Sequence, residues 1–257
     1  MCGRYASSRR PEDLVEEFQI DENQVKETLA PDFNVAPTKS VYAVLERPER
    51  PAEDEPGEPR PAARQLRLLT WGLVPFWAKD PAIGNRMINA RMETVTEKPA
   101  FRRAFAARRC LLPADGYYEW YTTSQKTKSG RPLKQPFFIH PADGSVLAMA
   151  GLYEIWRDPT RADDDPERFR WTCTVLTTTA EDQLGRIHDR MPLLVERERY
   201  DTWLDPSVSS SDDLRKLLVP AAPGRLEAYP VSTLVNNVKN NGAELVEPVE
   251  PEAGELP

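Results

Sequence analysis

Cys110-Leu111-Leu112-Pro113-Ala114-Asp115-Gly116-Tyr117-Tyr118-Glu119-Trp120-Tyr121 reads as a strand that breaks at Pro-Ala-Asp-Gly and resumes beyond it. Alternation in the second half sets Glu119 on one face with Tyr117 and Tyr121, and turns Tyr118 and Trp120 to the other. Working outward, strands are expected at 39–46, where Val41, Ala43 and Leu45 alternate, and at 65–73, around 137–139, at 146–155 and at 171–178. Residues 32–38 read as loop. Helical spacing appears at 11–19 (Leu14, Val15, Phe18) and at 97–108 (Phe101, Ala104, Phe105 after Pro99), with shorter helices at 180–187, 197–204 and 212–218. Short-spaced strands with irregularly interspersed helices do not repeat as βαβ units. The class is therefore α+β, a single domain on a mainly antiparallel sheet.

A chain of 257 residues can bury a substantial core. No stretch approaches the roughly 20 apolar residues that span a bilayer, and Arg4, Arg9, Arg10, Glu12 and Asp13 interrupt any signal-peptide core, so a cytoplasmic protein is expected. Three cysteines without CxxC spacing argue against a disulfide framework and a structural zinc, and two histidines (His140, His188) against a His-rich metal site. No metal and no cofactor are expected. The net charge of −7 is concentrated: residues 46–60, 158–168 and 242–257 carry −3, −3 and −5, leaving +4 on the rest. The acidic, Pro-rich stretches at about 46–63 and 158–168 read as insertions, and 241–257 as a disordered acidic tail after a domain spanning 1–240. A basic binding face is compatible with that distribution.

Several residues invite chemistry. Removal of Met1, favoured by the small second side chain, would give Cys2 a free α-amine beside its thiol. Such a 1,2-aminothiol captures an aldehyde as an imine and then closes a thiazolidine ring, with both nucleophiles available near neutral pH. Neither Cys110 nor Cys173 has a free amine. Glu119 among aromatics invites a raised pKa and general acid/base work, although a glutamate at a solvated sheet edge is the commoner case. His188, with Asp189 and Arg190 beside it in a turn, can exchange protons or simply cap a helix. His140 looks like a strand terminus. In an extended reading Asn89 and Arg91 share a face, suited to orienting a hydroxyl and holding a phosphate. Phe76 and Trp77, after Pro75, are suited to stacking on an unpaired base or to filling core.

Taken in order, Met1-Cys2-Gly3-Arg4-Tyr5, Asn34-Val35-Ala36-Pro37-Thr38, Trp71-Gly72-Leu73-Val74-Pro75, Asn89-Ala90-Arg91-Met92-Glu93-Thr94, Arg109 to Trp120, and His188-Asp189-Arg190-Met191-Pro192 resemble the SOS-response-associated peptidase (SRAP) family. The resemblance runs from residue 2 to about 235. It implies a barrel-like antiparallel sheet flanked by short helices, and a monomer that binds single-stranded DNA containing abasic sites, associating with the nucleoid when bound to damage. It implies a covalent crosslink through Cys2, with lyase-like Schiff-base chemistry of slow or suicidal turnover and a self-processing peptidase activity. It further implies that Asn89 orients the opened sugar, Glu119 handles protons near the amine, and His188 promotes sugar opening. Gly3, Arg4, Arg91 and Arg190 would lie on the DNA backbone, with Pro37, Thr38, Phe76 and Trp77 near the strand and its bases.

Two other readings of the same residues are open. A class II glutamine amidotransferase also begins Cys-Gly and would release ammonia from glutamine, but the later blocks do not resemble that family. A non-covalent single-stranded DNA-binding module would bind in a salt-sensitive way and survive Cys2→Ala.

Overall fold

The computed structural model describes residues 2–48, 62–180, 184–220 and 222–251. Its strands are β1 (Tyr5–Ser7), β2 (Glu22–Asn23), β3 (Asp32–Val35), β4 (Ser40–Pro48), β5 (Ala62–Trp71), β6 (Asn89–Arg91), β7 (Arg109–Ala114), β8 (Gly116–Lys126), β9 (Pro132–Pro141), β10 (Leu147–Arg157), β11 (Phe169–Thr179), β12 (Arg190–Pro192) and β13 (Leu226–Pro230). Five of them form one sheet in the order β13-β9-β8-β1-β3. The other sheet runs β12-β11-β10-β7-β4-β5-β2, and β5 returns to pair with β11 in parallel (Thr70↔Thr172, Trp71↔Cys173). That pairing closes β11, β10, β7, β4 and β5 into a five-stranded barrel.

Strand alternation sorts the core into two layers. Val41, Ala43, Leu45, Cys110, Leu112, Met149, Cys173 and Val175 pack with Cys2, Tyr5 and Tyr117 of the first sheet. The intervening residues Tyr42, Val44, Leu111, Ala150 and Leu176 pack with the helices α1 (Pro11–Glu17), α2 (Arg102–Ala107), α4 (Tyr200–Leu204) and α5 (Ser211–Leu217), whereas α3 (Leu184–Ile187) packs its Leu184 and Ile187 into the former layer. Trp71 is fully buried, its Nε1–H donates to Ile88 O at 2.9 Å, and its ring meets Tyr5 edge-on at 5.2 Å. Burying so large a ring with its polar atom satisfied ties the amino-terminal strand to the barrel.

Asp115 and Gly116, where β7 gives way to β8, also hold β1. Asp115 N–H donates to Ala6 O at 2.8 Å, and its carboxylate accepts from Ser8 N–H at 2.6 Å. Gly116 pairs with Ala6, and a Cβ there would stand 2.4 Å from the Phe138 ring and 2.6 Å from Ile139 O. Only glycine permits this approach. β1 is thereby pinned against β8, which fixes where Cys2 enters the fold.

Asn34 holds the opposite side of β1. Fully buried, it donates through Nδ2 to Asn237 O (3.1 Å) and Asn240 O (2.9 Å), and accepts from Arg4 at 2.6 Å through Oδ1. Asn34→Ala strands those groups in the core and is expected to cost about 2–4 kcal/mol. The check is a lower urea midpoint at unchanged m-value.

Four expectations are corrected. Residues 32–38 contain β3, because Tyr5 and Ser7 supply a partner strand for Val35 and Asp32. The helix expected over 97–108 shortens to α2: Lys98 O accepts from both Phe101 and Arg102 N–H, so turns occupy the Pro99 region first. At the first insertion β4 and β5 pair out to Pro48↔Ala62, so both strands extend into the 46–63 stretch, whose residues 49–61 lie outside the described residues. The chain from 241 is not wholly a solvated tail. Ala243–Val246 form a 3-10 turn, Leu245 is fully buried, and Val249 N–H donates to Pro230 O at 3.0 Å. Residues 252–257 lie outside the described residues. In the second insertion the acids are partly matched, with Asp158 taking Arg170 at 2.9 Å and Arg161 taking Asp165 at 2.9 Å. No described helix is long and apolar enough to cross a membrane.

Candidate active site

Cys2 is fully buried against the barrel. Its carbonyl accepts from Asn89 Nδ2 at 2.8 Å, and its Sγ lies 3.9 Å from Arg4 O. Asn89 reaches it because β6 runs parallel to β11 (Asn89↔Val175). The Asn89 Oδ1 is buried and makes no hydrogen bond to any described residue. Burial pushes the Cys2 thiol well above its usual range, and the Glu119 carboxylate pushes it further. As it stands, this sulfur is a protonated thiol.

Glu119 lies on the face that alternation assigns it, but it is 3% exposed and not at a solvated edge. β1 and β9 flank β8 on either side, with Glu119 opposite Phe137. Burial pushes its carboxyl up to about 7. A group with that pKa exists in both forms at neutral pH, as a general acid/base requires. His188 Nε2 stands 3.9 Å from Glu119 Oε2. Burial lowers the His188 pKa, which favours the neutral ring. Its Nδ1 accepts from Arg190 N–H at 3.0 Å, so the neutral tautomer carries its proton on Nε2, facing Glu119. Asp189 Oδ1, also 3.0 Å from Nδ1, is the partner of the imidazolium instead. The two contacts suit different protonation states of one ring.

A cleft of about 500 Å³ opens over this pair, lined by Glu119, Trp120, Lys134, His188 and Asn236. Lys134, exposed on β9, makes no hydrogen bond or ion pair with any described residue. Nothing in the sequence singles it out, because only the β8–β9 register (Thr122↔Lys134) brings it to the cleft. Trp120 Nε1–H donates to Asn236 Oδ1 at 2.7 Å, and the Arg4 guanidinium sits 5.8 Å over the Trp120 ring.

The residues assigned to DNA separate into two groups. Arg91 is exposed and unpaired among the described residues. Phe76 and Trp77 are each 48% exposed, so they are not core, and Arg103 lies 4.1 Å over the Phe76 ring. Thr38 is exposed at a left-handed φ of 75°, held by its N–H to Trp71 O at 2.8 Å, next to half-buried Pro37. A β-branched residue in that region is strained, a condition that clusters at functional sites. Gly3 is half-buried between Cys2 and Arg4.

Arg4 and Arg190, in contrast, are engaged within the fold. Arg4 donates to Asn34 Oδ1 at 2.6 Å and Val235 O at 2.8 Å through one terminal nitrogen. Arg190 closes a fork on Glu93 at 2.6 and 3.0 Å and donates to Thr177 O at 2.6 Å. That pairing holds the Glu93 carboxyl below its usual range. A phosphate at Arg190 would have to compete with a bidentate carboxylate. His140 ends β9, stacked on Phe138 at 5.6 Å. No group of three or more potential metal ligands occurs among the described residues.

Asn89 thus holds the buried Cys2 carbonyl, and Glu119, its carboxyl pushed up to about 7, lies 3.9 Å from His188; the sequence comparison decides the family. The model described as "SOS response associated peptidase (SRAP)" matches residues 1–238. The chain belongs to the SRAP family. It is similar to Abasic site processing protein YoaM of Bacillus subtilis, 39% identical over 247 residues (96% of this chain, 98% of that protein). It is also similar to Abasic site processing protein YedK of Escherichia coli, 34% identical over 256 residues (97% and 100%). A crystal structure of a protein from Bacteroides thetaiotaomicron superposes with a TM-score of 0.77 at 23% identity, covering 97% of this chain and all of that one, which shows the SRAP chain's fold to be shared. The amidotransferase reading has no counterpart among these matches.

Proposed function

We propose that this protein processes abasic sites in single-stranded DNA by forming a covalent thiazolidine crosslink through Cys2 once Met1 has been removed. The observation that carries the reading is Glu119: a buried carboxyl pushed up to about 7 by burial, whose charge acts on the Cys2 thiol, 3.9 Å from His188. The relatives named as abasic site processing proteins support the substrate.

The chemistry follows from those groups. An abasic deoxyribose opens to an aldehyde, and the neutral Cys2 amine, relieved of a proton by Glu119, attacks C1′. Glu119 returns that proton to the carbinolamine hydroxyl, which leaves as water and yields an iminium. The sulfur then attacks the same carbon, the C=N pair returns to nitrogen, and the thiol proton passes to the Glu119 carboxylate. His188 Nε2–H would protonate the oxygen released as the sugar ring opens, and Asn89 keeps Cys2 aimed through its carbonyl. Ring closure removes an imine that would otherwise undergo β-elimination and cut the strand. Phe76 and Trp77 supply exposed stacking area for unpaired bases, and the single-strand preference follows, because a duplex would have to be opened at a cost of a few kcal/mol.

Purified protein lacking Met1 is expected to give an SDS-resistant band with a single-stranded oligonucleotide bearing one abasic site, and none with the intact oligonucleotide. Absence of that band, with Met1 removal and the abasic site both verified, would sink the reading. Lys134 supplies a second check as the free ammonium at the cleft. Lys134→Ala is expected to lower the slope of log K against log salt for single-stranded DNA by about 0.7, one phosphate contact. An unchanged slope means that the ammonium does not reach the backbone.

A further inference from the structure

Tyr117 is a buried phenol whose oxygen finds no hydrogen-bond partner among the described residues. Its side chain is 1% exposed. Leaving a buried hydroxyl unpaired destabilises a fold, so an unpaired one in a packed core calls for an explanation. Its neighbours supply that explanation. Alternation along β8 puts Tyr117 on the face of Glu119, pairing sets it opposite Tyr5, and it packs in the same buried cluster as Cys2. Negative charge on Cys2 or Glu119 would tighten the phenol's hold on its proton, so both lie within its electrostatic reach.

Cys2 has the complementary deficit. Its thiol is buried, its pKa is pushed up, and its one hydrogen-bond partner is a carbonyl, which suits S–H and offers nothing to a sulfur gaining negative charge. Among the described residues, one buried cluster therefore holds a phenol donor without an acceptor and, within its electrostatic reach, a nucleophile without a donor.

We propose that the Tyr117 hydroxyl donates a hydrogen bond to Cys2 Sγ as the sulfur attacks the iminium carbon, which makes Tyr117 a catalytic residue for ring closure but not for imine formation. The proposal rests on the crosslinking reading above. In this step the S–C1′ bond forms, the C=N pair returns to nitrogen, the thiol proton goes to the Glu119 carboxylate, and the phenol keeps its own proton throughout. Burial raises the Tyr117 pKa, so the phenol is a donor at every pH where the chemistry runs. Because the bond forms only when the sulfur is charged, it strengthens toward the transition state and is silent in the resting protein.

Tyr117→Phe tests this, since it removes one oxygen and keeps the ring. Three quantities are compared with wild type: the melting temperature, the rate of borohydride-trapped imine, and the rate of borohydride-independent adduct across pH. The melting temperature is expected to hold or rise, because an unpaired hydroxyl has left the core. Imine forms at the wild-type rate. Ring closure slows about tenfold or more, the worth of one hydrogen bond to a charged group, and the deficit persists across the neutral range, because burial keeps the thiol protonated there. Ring closure at the wild-type rate overturns the proposal, and so does equal slowing of both steps, which would mark a structural role. A wild type that yields no stable adduct defeats the crosslinking reading itself, an outcome visible before the variant is scored.

Discussion

Cys2→Ala, with Met1 removed, is expected to bind single-stranded abasic DNA as tightly as wild type and to lose the SDS-resistant adduct to background. The Cys2 side chain is buried and does not line the cleft, and the α-amine is kept, so noncovalent binding has no reason to fall. The variant keeps an α-amine and therefore still captures the aldehyde as an imine. What it loses is the intramolecular thiol, whose effective molarity makes closure outrun hydrolysis; a loss of at least about 10²-fold in stable adduct is expected. Borohydride should restore a band by reducing the imine. Without borohydride the variant should nick the DNA, since its imine is free to undergo β-elimination. A stable, borohydride-independent adduct from Cys2→Ala would place the covalent bond elsewhere. The fold should tolerate the change at a cost of about 1 kcal/mol for the small cavity.

Glu119→Gln carries the second large effect, and it moves stability and activity in opposite directions. In the folded protein the carboxyl titrates at about 7, above its usual 4.5. The folded state thus holds this proton more tightly than the unfolded chain does, so stability is lost as pH rises from about 4.5 through 7, and the full penalty applies above 7. A raised pKa of that size corresponds to roughly 3–4 kcal/mol. Glutamine cannot ionise, so the variant should melt higher than wild type at pH 8 and about equally at pH 5. Crosslinking should nevertheless fall about 10²–10⁴-fold, the usual worth of a general acid/base. The wild-type rate should peak near neutrality, where the carboxylate that accepts from the amine and the acid that protonates the carbinolamine coexist. The variant should lose that bell shape. A variant that is no more stable at pH 8, or as active as wild type, contradicts the buried, proton-handling assignment.

The chain shows where legibility in the sequence stops. The parity of Glu119 was readable from Tyr117-Tyr118-Glu119-Trp120-Tyr121 alone, because a strand has only two faces. Its burial was not, because the cover comes from β1 and β9, and no local pattern reports who flanks a strand. The positive charge of Arg4 and Arg190 was equally plain. Their engagement was hidden, since Val235 lies 231 residues from Arg4 and Glu93 lies 97 from Arg190. Lys134 bears no motif and becomes part of the cleft only through strand register. Charge composition also misled at the carboxyl end, where one apolar residue, Leu245, outweighs the surrounding acids by filling a buried position beside Tyr118 and Val235. The barrel strands were legible because β-branched and aliphatic residues alternate along them. β1, β3 and β6, at three or four residues each, are too short to show a period and exist by virtue of their partners.

The most direct test of the central claim is the intact mass of the adduct formed by protein lacking Met1 with a single-stranded abasic oligonucleotide, taken before and after borohydride and after thiol alkylation. A thiazolidine at Cys2 predicts the summed masses less one water, no gain of two hydrogens from borohydride, and no alkylation at Cys2. An adduct that takes up two hydrogens, or whose Cys2 thiol still alkylates, would be an open imine and would contradict the account.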